Sequence, residues 1–370
     1  MVHFSSENIH ALKNVSENDK NYLLSLVPRA GLPSFSEICE NLSLFSKRVS
    51  FKKLDEYEYL ETQPDSNIFY IPSCKIFVDE DKKIILHSHI SVDLQVLFFK
   101  EIDNVLEKID KLDITQNTNI GENCIVCEKW FISYGHVLDE MFALFEFSEK
   151  LKRVNPTTFQ HLQDYPIDQD LCKGYLVPAG NNNYNTIGKY LFGEKFFNLG
   201  TESAKCYSLK NLVVIKHNWE DPTFHKLPNI ARNHILSKMP KNFAQTNKNI
   251  FITRTQGRHA LRNLDNLHEI ENFFTHAKYD VINPEEMNYD VFVHYVQNAE
   301  NIFMTWGGII VSLVYMKPDA RVYILQSKSY GGEKLDIVGN MISHYSLKDK
   351  IQVIHHIDNK IDLNVLEPLI

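Results

Sequence analysis

The sequence predicts an α/β protein whose C-terminal half is a doubly wound parallel sheet, and three observations carry that expectation. Apolar runs that read as strands alternate there with segments of helical spacing, beginning at Ile250-Phe251-Ile252 and ending at Tyr323-Ile324-Leu325. Each of two strands, the Ile250 run and Ile302-Phe303-Met304-Thr305, ends in a polar or glycine-rich corner. The chain has 370 residues, more than one core ordinarily organises, so two domains are expected, 1–215 and 216–370.

Residues 1 to 60 carry no clear period. From Asn67 the pattern turns to strands: Ile68-Phe69-Tyr70-Ile71, Lys75-Ile76-Phe77-Val78 and Lys83-Ile84-Ile85-Leu86. The last two flank Asp79-Glu80-Asp81-Lys82, read as a solvated hairpin turn. Helical spacing follows over 94–106, then the strand Asn123-Cys124-Ile125-Val126-Cys127. From His136 onward Val137, Met141, Leu144 and Phe145 recur at helical spacing, which places Gly135 and His136 at a helix start. A strand at Tyr175-Leu176-Val177-Pro178, an Asn-rich turn, a short helix and the strand Leu209 to Ile215 complete the first half. His217-Asn218-Trp219-Glu220-Asp221-Pro222 reads as the linker.

In the second half, helices built on Ile230, Ile235 and Met239, on Leu267, Ile270 and Phe274, and on Phe292, Tyr295 and Val296 each precede a strand. Ile309 to Met316 reads as a further helix, and Lys317-Pro318-Asp319-Ala320 as the turn into the Tyr323 strand.

The composition excludes several classes. A formal charge of −8 argues against a general nucleic-acid binder, which would show a basic surplus. Of six cysteines only Cys124 and Cys127 have CxxC spacing, and with no second pair they read as reduced and structural. The start Met1-Val2-His3-Phe4-Ser5-Ser6 has no basic region before an apolar run, so no secretory leader is expected. No apolar run approaches ~18 residues, so a cytoplasmic protein is expected. Peripheral attachment to a membrane, and the oligomeric state, stay open.

Chemistry concentrates at the strand ends. In an open α/β sheet, ligands bind outside the carboxyl ends of the strands. Thr253-Arg254 ends one strand and Arg258 follows shortly; two arginines there can hold a phosphate bidentately. Thr305-Trp306-Gly307-Gly308 ends another, and paired glycines before a helix offer backbone N–H groups to an anion. No GxGxxG or GxxxxGK[ST] occurs, which removes the usual dinucleotide and P-loop signals. In the first half, His136, Asp139 and Glu140 form an acid/histidine group on one helix start. Either the histidine or a carboxylate can serve there as general base toward a hydroxyl.

With these residues assembled, the chain resembles glycosyltransferase family 61, most clearly over 250–325. The resemblance rests on Thr253-Arg254, Arg258, Pro284-Glu285, Ala299, Trp306-Gly307-Gly308 and Met316-Lys317-Pro318, with Gly135-His136 and Glu140 in the first half. Trp306 stands where the family has histidine, Gly308 where it has alanine, and Arg262 where it usually has asparagine. The resemblance implies a GT-B-like fold, two Rossmann-like domains facing a central cleft. The nucleotide sugar would be held by the C-terminal domain, and a last helix could pack back on the first. It implies an inverting transferase that needs no metal, with a UDP-linked nucleoside-diphosphate sugar as donor substrate and no other cofactor. The acceptor would be a glycan or lipid-linked glycan of a bacterial capsule, lipopolysaccharide or other surface polysaccharide, at the inner face of the membrane. Thr253, Arg254, Arg258, Thr305, Trp306, Gly307 and Gly308 would bind the donor, and His136, Glu140 or Asp139 would deprotonate the acceptor. A polysaccharide pyruvyl transferase-like enzyme and an inactive glycan-binding homologue are the alternatives.

Overall fold

The structure is a computed structural model, described for residues 46–55, 57–71, 76–85, 107–127, 134–163, 183–198, 206–215, 229–254, 264–327, 350–356 and 359–370. It is a mixed α/β protein whose chain divides into two compact units. The expected strand at 175–178, the helix at 94–106 and the linker at 217–222 lie outside the described residues, as does Arg258.

The first unit is built on a nine-stranded sheet. Its strands are β1 (Val49–Leu54), β2 (Tyr57–Thr62), β3 (Asn67–Ile71), β4 (Ile76–Asp79), β5 (Ile84–Ile85), β6 (Asn117–Cys127), β7 (Gln160–Gln163), β8 (Phe196–Asn198) and β9 (Cys206–Ile215). The sheet is mixed. Strands β1 to β5 pair antiparallel through short connections, and β2 and β3 run antiparallel to β9. Only β6, β7, β8 and β9 run parallel to one another, so the all-parallel sheet of a Rossmann-like domain is not what forms here. The reason is local: the turns at Asp55 and at 80–83 are too short for a crossover, and short turns make hairpins.

The hairpin expected at Asp79 forms, but its charge is not solvated. Asp79 is 1% exposed and accepts from Ser46 Oγ at 2.5 Å and from the N–H groups of Asp81 and Lys83, both at 2.9 Å. Its carboxylate is the internal brace of the turn, an Asx-type role that needs no metal. Arg48 pairs with Glu80 and Asp81 outside it. Among the described residues no cluster of metal-ligating side chains occurs.

The second unit holds a five-stranded parallel sheet. Its strands are β10 (Asn249–Ile252), β11 (Asp280–Ile282), β12 (Asn301–Thr305), β13 (Arg321–Ser327) and β14 (Ile351–His356). Their spatial order is β11-β10-β12-β13-β14, so the chain winds outward in both directions from the gap between β10 and β12. The described residues form five α-helices: α1 (Tyr134–Val154), α2 (Asn183–Phe192), α3 (Asn229–Lys238), α4 (Leu267–His276) and α5 (Tyr289–Asn298). Helices α2 to α5 belong to the second unit, and α1 contributes its residues up to Ala143 to it and those from Leu144 to the first.

Burial explains why these strands read so plainly. Residues Ile302, Phe303 and Met304 of β12 are all fully buried, as parallel strands covered on both faces must be. On one face Phe251, Phe303 and Tyr323 lie in one row by register, and the Phe303 and Tyr323 rings stack with centroids 4.3 Å apart. Phe274 of α4 lies on Phe251 at 4.5 Å. Each fully buried aromatic of this row is worth about 1.5–3 kcal/mol by transfer out of water.

The helix expected from Ile309 is a 3₁₀ helix over Gly308–Tyr315. Its run Gly-Ile-Ile-Val-Ser-Leu-Val-Tyr is apolar almost throughout, so its side chains favour no single face. A tighter winding of three residues per turn fits that composition as well as 3.6 does. The chain's last residues form two single 3₁₀ turns, Leu363–Val365 and Glu367–Leu369, and Ile361 and Leu366 bury in the core of the second unit. Asn266, at the start of α4, clasps them: its Nδ2 donates to the Ile361 carbonyl at 2.9 Å and its Oδ1 accepts from the Ile361 N–H at 3.2 Å.

Candidate active site

The strand order β11-β10-β12-β13-β14 puts a topological switch point between β10 and β12, where neighbouring connections leave to opposite sides and open a crevice. Ile252 of β10 pairs with Met304 of β12 as the last register, so Thr253-Arg254 and Thr305-Trp306 emerge side by side at that crevice. The two corners singled out in the sequence are therefore one place.

They also touch. Arg254, half-buried, donates from Nη1 to the Trp306 carbonyl at 3.3 Å. A Cβ built on Gly307 would lie 3.5 Å from that same Nη1, so the glycine leaves the guanidinium flank open. Trp306 N–H donates to the Leu325 carbonyl at 3.0 Å, which ties the corner to β13. Beyond it the Gly307 carbonyl accepts from Ile310 N–H at 3.1 Å and the 3₁₀ helix begins. The first N–H groups of such a helix have no partner within it and face the carboxyl margin of the sheet.

Thr253 and Thr305 lie on the α4 face of the sheet, by alternation from Phe251 and Phe303. Thr253 is held: its N–H donates to the Ile282 carbonyl at 2.9 Å, and its Oγ1 to Glu271 Oε1 of α4 at 2.6 Å. Nothing in the sequence marked Glu271, which reads as one more polar residue of an amphipathic helix. Thr305 differs. It is 2% exposed, and its Oγ1 has no hydrogen-bond partner among the described residues.

The corner after β11 is a compact turn. Asn283 Oδ1 accepts from Glu285 N–H at 3.1 Å, its carbonyl from Glu286 N–H at 3.0 Å, and Pro284 lies between them. At the far margin, β14 ends in His355, exposed, and His356, 6% exposed. Burial, with the neighbouring His355 adding to it, pushes the His356 imidazole below its ordinary value, which favours the neutral ring.

His136, Asp139 and Glu140 all lie in the first two turns of α1. That stretch is grouped with the second unit, the unit of Arg254 and Gly307. Two residues after Glu140, Phe142 packs edge-on against Tyr315, the last residue of the 3₁₀ helix that starts at Gly308, with centroids 6.2 Å apart. Tyr315 is also hydrogen-bonded to Tyr289 of α5, hydroxyl to hydroxyl.

An arginine, a glycine corner and a helix start that meet at a switch point are the features from which an α/β sheet can build a ligand site. Comparison with known proteins narrows this. The sequence model of the family described as Glycosyltransferase 61 matches residues 134–323, just over half of the chain and a span that includes both α1 and the β10–β12 crevice. The chain belongs to that family, and it is a glycosyltransferase, acting between a sugar donor and an acceptor. No curated protein matches the chain. Among the described residues no helix is long and apolar enough to cross a membrane.

Proposed function

We propose that the protein transfers a sugar, with inversion at the anomeric carbon, from a UDP-linked nucleoside-diphosphate donor to a glycan or lipid-linked glycan acceptor of a bacterial surface polysaccharide. The observation that carries the donor reading is the Arg254–Trp306 contact, which joins two anion-friendly corners at the switch point. In the proposed reaction the acceptor oxygen attacks the anomeric carbon and forms the new glycosidic bond. The bond from that carbon to the diphosphate breaks, and the electron pair leaves with the diphosphate. Arg254, Arg258 and the N–H groups around Gly307 and Gly308 offset the negative charge that grows there, a role that preorganised donors fill without a metal. Thr253, Thr305 and Trp306 shape the same pocket wall.

The proton of the acceptor hydroxyl goes to His136 or Glu140, with Asp139 as the third candidate. His136 and Glu140 are four apart on one helix and share a face. A GT-B-like arrangement, with residues 1–215 on the acceptor side, their sheet mixed and not all-parallel, and 216–370 on the donor side, is the architecture this reading assumes. The inner face of the cytoplasmic membrane would be the place of action, where a lipid-linked acceptor is reached by peripheral association.

Isothermal calorimetry tests the donor assignment. Wild-type protein should bind UDP, and Arg254→Ala should weaken it at least about tenfold, since a charge-assisted hydrogen bond to phosphate contributes about 1.5–3 kcal/mol. Unchanged UDP affinity in the variant would remove Arg254 from the site. Protection by phosphoenolpyruvate instead of UDP in a thermal-shift panel would point to pyruvyl transfer.

A further inference from the structure

Alternation and register place a second pair of polar groups on the α4 face of the parallel sheet. Thr305 follows Phe303 by two residues on β12 and shares its face. Thr305 pairs with Leu325 of β13, and Leu325 pairs with Ile354 of β14, so all three lie in one row. His356 is two residues beyond Ile354, paired with Ser327, at the carboxyl margin of the same face. Below this margin the face is apolar: Phe251, Phe303, Tyr323, Leu325 and Ile354 belong to one buried cluster.

Two polar atoms sit at the edge of that cluster without partners. Thr305 Oγ1 and His356 Nδ1 are both buried, on residues 2% and 6% exposed, and neither makes a hydrogen bond among the described residues. A buried polar atom left unpaired costs about 1–3 kcal/mol, so a protein that keeps two at its ligand margin is short of partners there. A hydroxyl and a neutral imidazole each offer both donor and acceptor capacity, which suits an uncharged hydroxyl group better than a phosphate. β12 and β14 are two strand spacings apart, about 10 Å, and His356 stands two residues farther along its strand, so the two groups would meet different parts of one bound nucleoside.

We infer that Thr305 and His356 are donor-contacting residues that hydrogen-bond uncharged polar groups of the nucleoside, Thr305 next to the diphosphate and His356 farther along, while Arg254 and the Gly307-Gly308 corner hold the diphosphate. This rests on the donor reading above and extends the site by two strands. His356 lies beyond the stretch that the family match covers.

The test compares UDP with inorganic pyrophosphate as calorimetric ligands of the full chain. Thr305→Val keeps the shape and removes the hydroxyl, and should weaken UDP about threefold to tenfold, as expected for one neutral hydrogen bond, with pyrophosphate unchanged. The melting temperature of the unliganded variant should stay level or rise, because an unpaired buried hydroxyl has gone. His356→Ala should give the same selective loss, and His356→Asn, which restores a donor and an acceptor, should recover part of it. Unchanged UDP affinity in both Thr305→Val and His356→Ala, in a protein whose wild type binds UDP, would overturn the inference and leave the donor reading standing. Equal losses for UDP and pyrophosphate would overturn it too, since they would mark a general disturbance of the corner. If His356→Ala failed to fold, Thr305→Val would decide alone. A wild type that bound neither ligand would instead remove the donor reading, and the inference with it.

Discussion

His161, on β7 of the first unit, is 2% exposed, and burial holds its imidazole down at about 3, with Lys152 and Lys195 adding to the effect. In the unfolded chain the same group titrates near its ordinary value of about 6.5. Between those values the unfolded state binds the extra proton, so this group's contribution to stability is full at neutral pH and lost as the pH falls below about 6.5. Replacing it by phenylalanine should flatten the acid limb. Wild type should lose about 1 kcal/mol more per pH unit than His161→Phe between pH 6 and 4, measured by urea unfolding. Parallel slopes would show that the buried imidazole does not govern the acid limb. The Cys124 thiol is driven the other way, up to about 12 by burial, which keeps it an unreactive core residue. Its reading as structural is consistent with that environment. Asp79 is the opposite case: three acidic residues at a hairpin tip resemble a solvated turn, and only the fold reveals that one of them points inward to brace it.

At the scale of elements, the corner between β12 and the 3₁₀ helix makes a sharper demand than its glycines alone suggest. Gly307 has an extended backbone, so no conformational need calls for glycine, and an added Cβ would meet Arg254 at an ordinary contact distance. Gly307→Ala should therefore fold with stability within about 1 kcal/mol of wild type. It should nonetheless bind UDP about tenfold less well, because the methyl fills the flank where a phosphate would approach backbone and guanidinium. A fluorescence titration against a melting curve separates the two effects, and an unchanged UDP affinity would show that no ligand approaches there. Strands β10, β12 and β13 were legible because both faces are buried and their sequences are nearly unbroken apolar runs. Strands β1 and β7 were not. Val49–Leu54 carries Lys52 and Lys53 and is largely exposed, and Gln160–Gln163 is Gln-His-Leu-Gln. Such strands are specified by partners far away in sequence, β1 by β2 and β7 by β6, and by little within themselves.

For the whole molecule, two sheets with separate apolar clusters mean that a ligand on one need not stabilise the other. UDP at a hundred times its dissociation constant should add about 2.7 kcal/mol to whatever it binds. Hydrogen exchange should show that protection in peptides of β10 to β14, with the nine-stranded sheet unchanged. Equal protection of both sheets would contradict a donor site built on the parallel sheet. The same division explains what sequence could say of the site. Arg254 announced itself as a charge ending an apolar strand. His356 could not, because a histidine at a strand end acquires a place only when β14 docks parallel to β13 and carries it to the carboxyl margin of the sheet. Finally, the Asn266 clasp gives the last dozen residues a mechanical duty. They hold the first turn of the helix that carries Glu271, and through Glu271 the hydroxyl of Thr253 beside the crevice. Ile361 is thus the peg from which the start of α4 hangs, and losing its grip on Asn266 would slacken Thr253 at the mouth of the crevice.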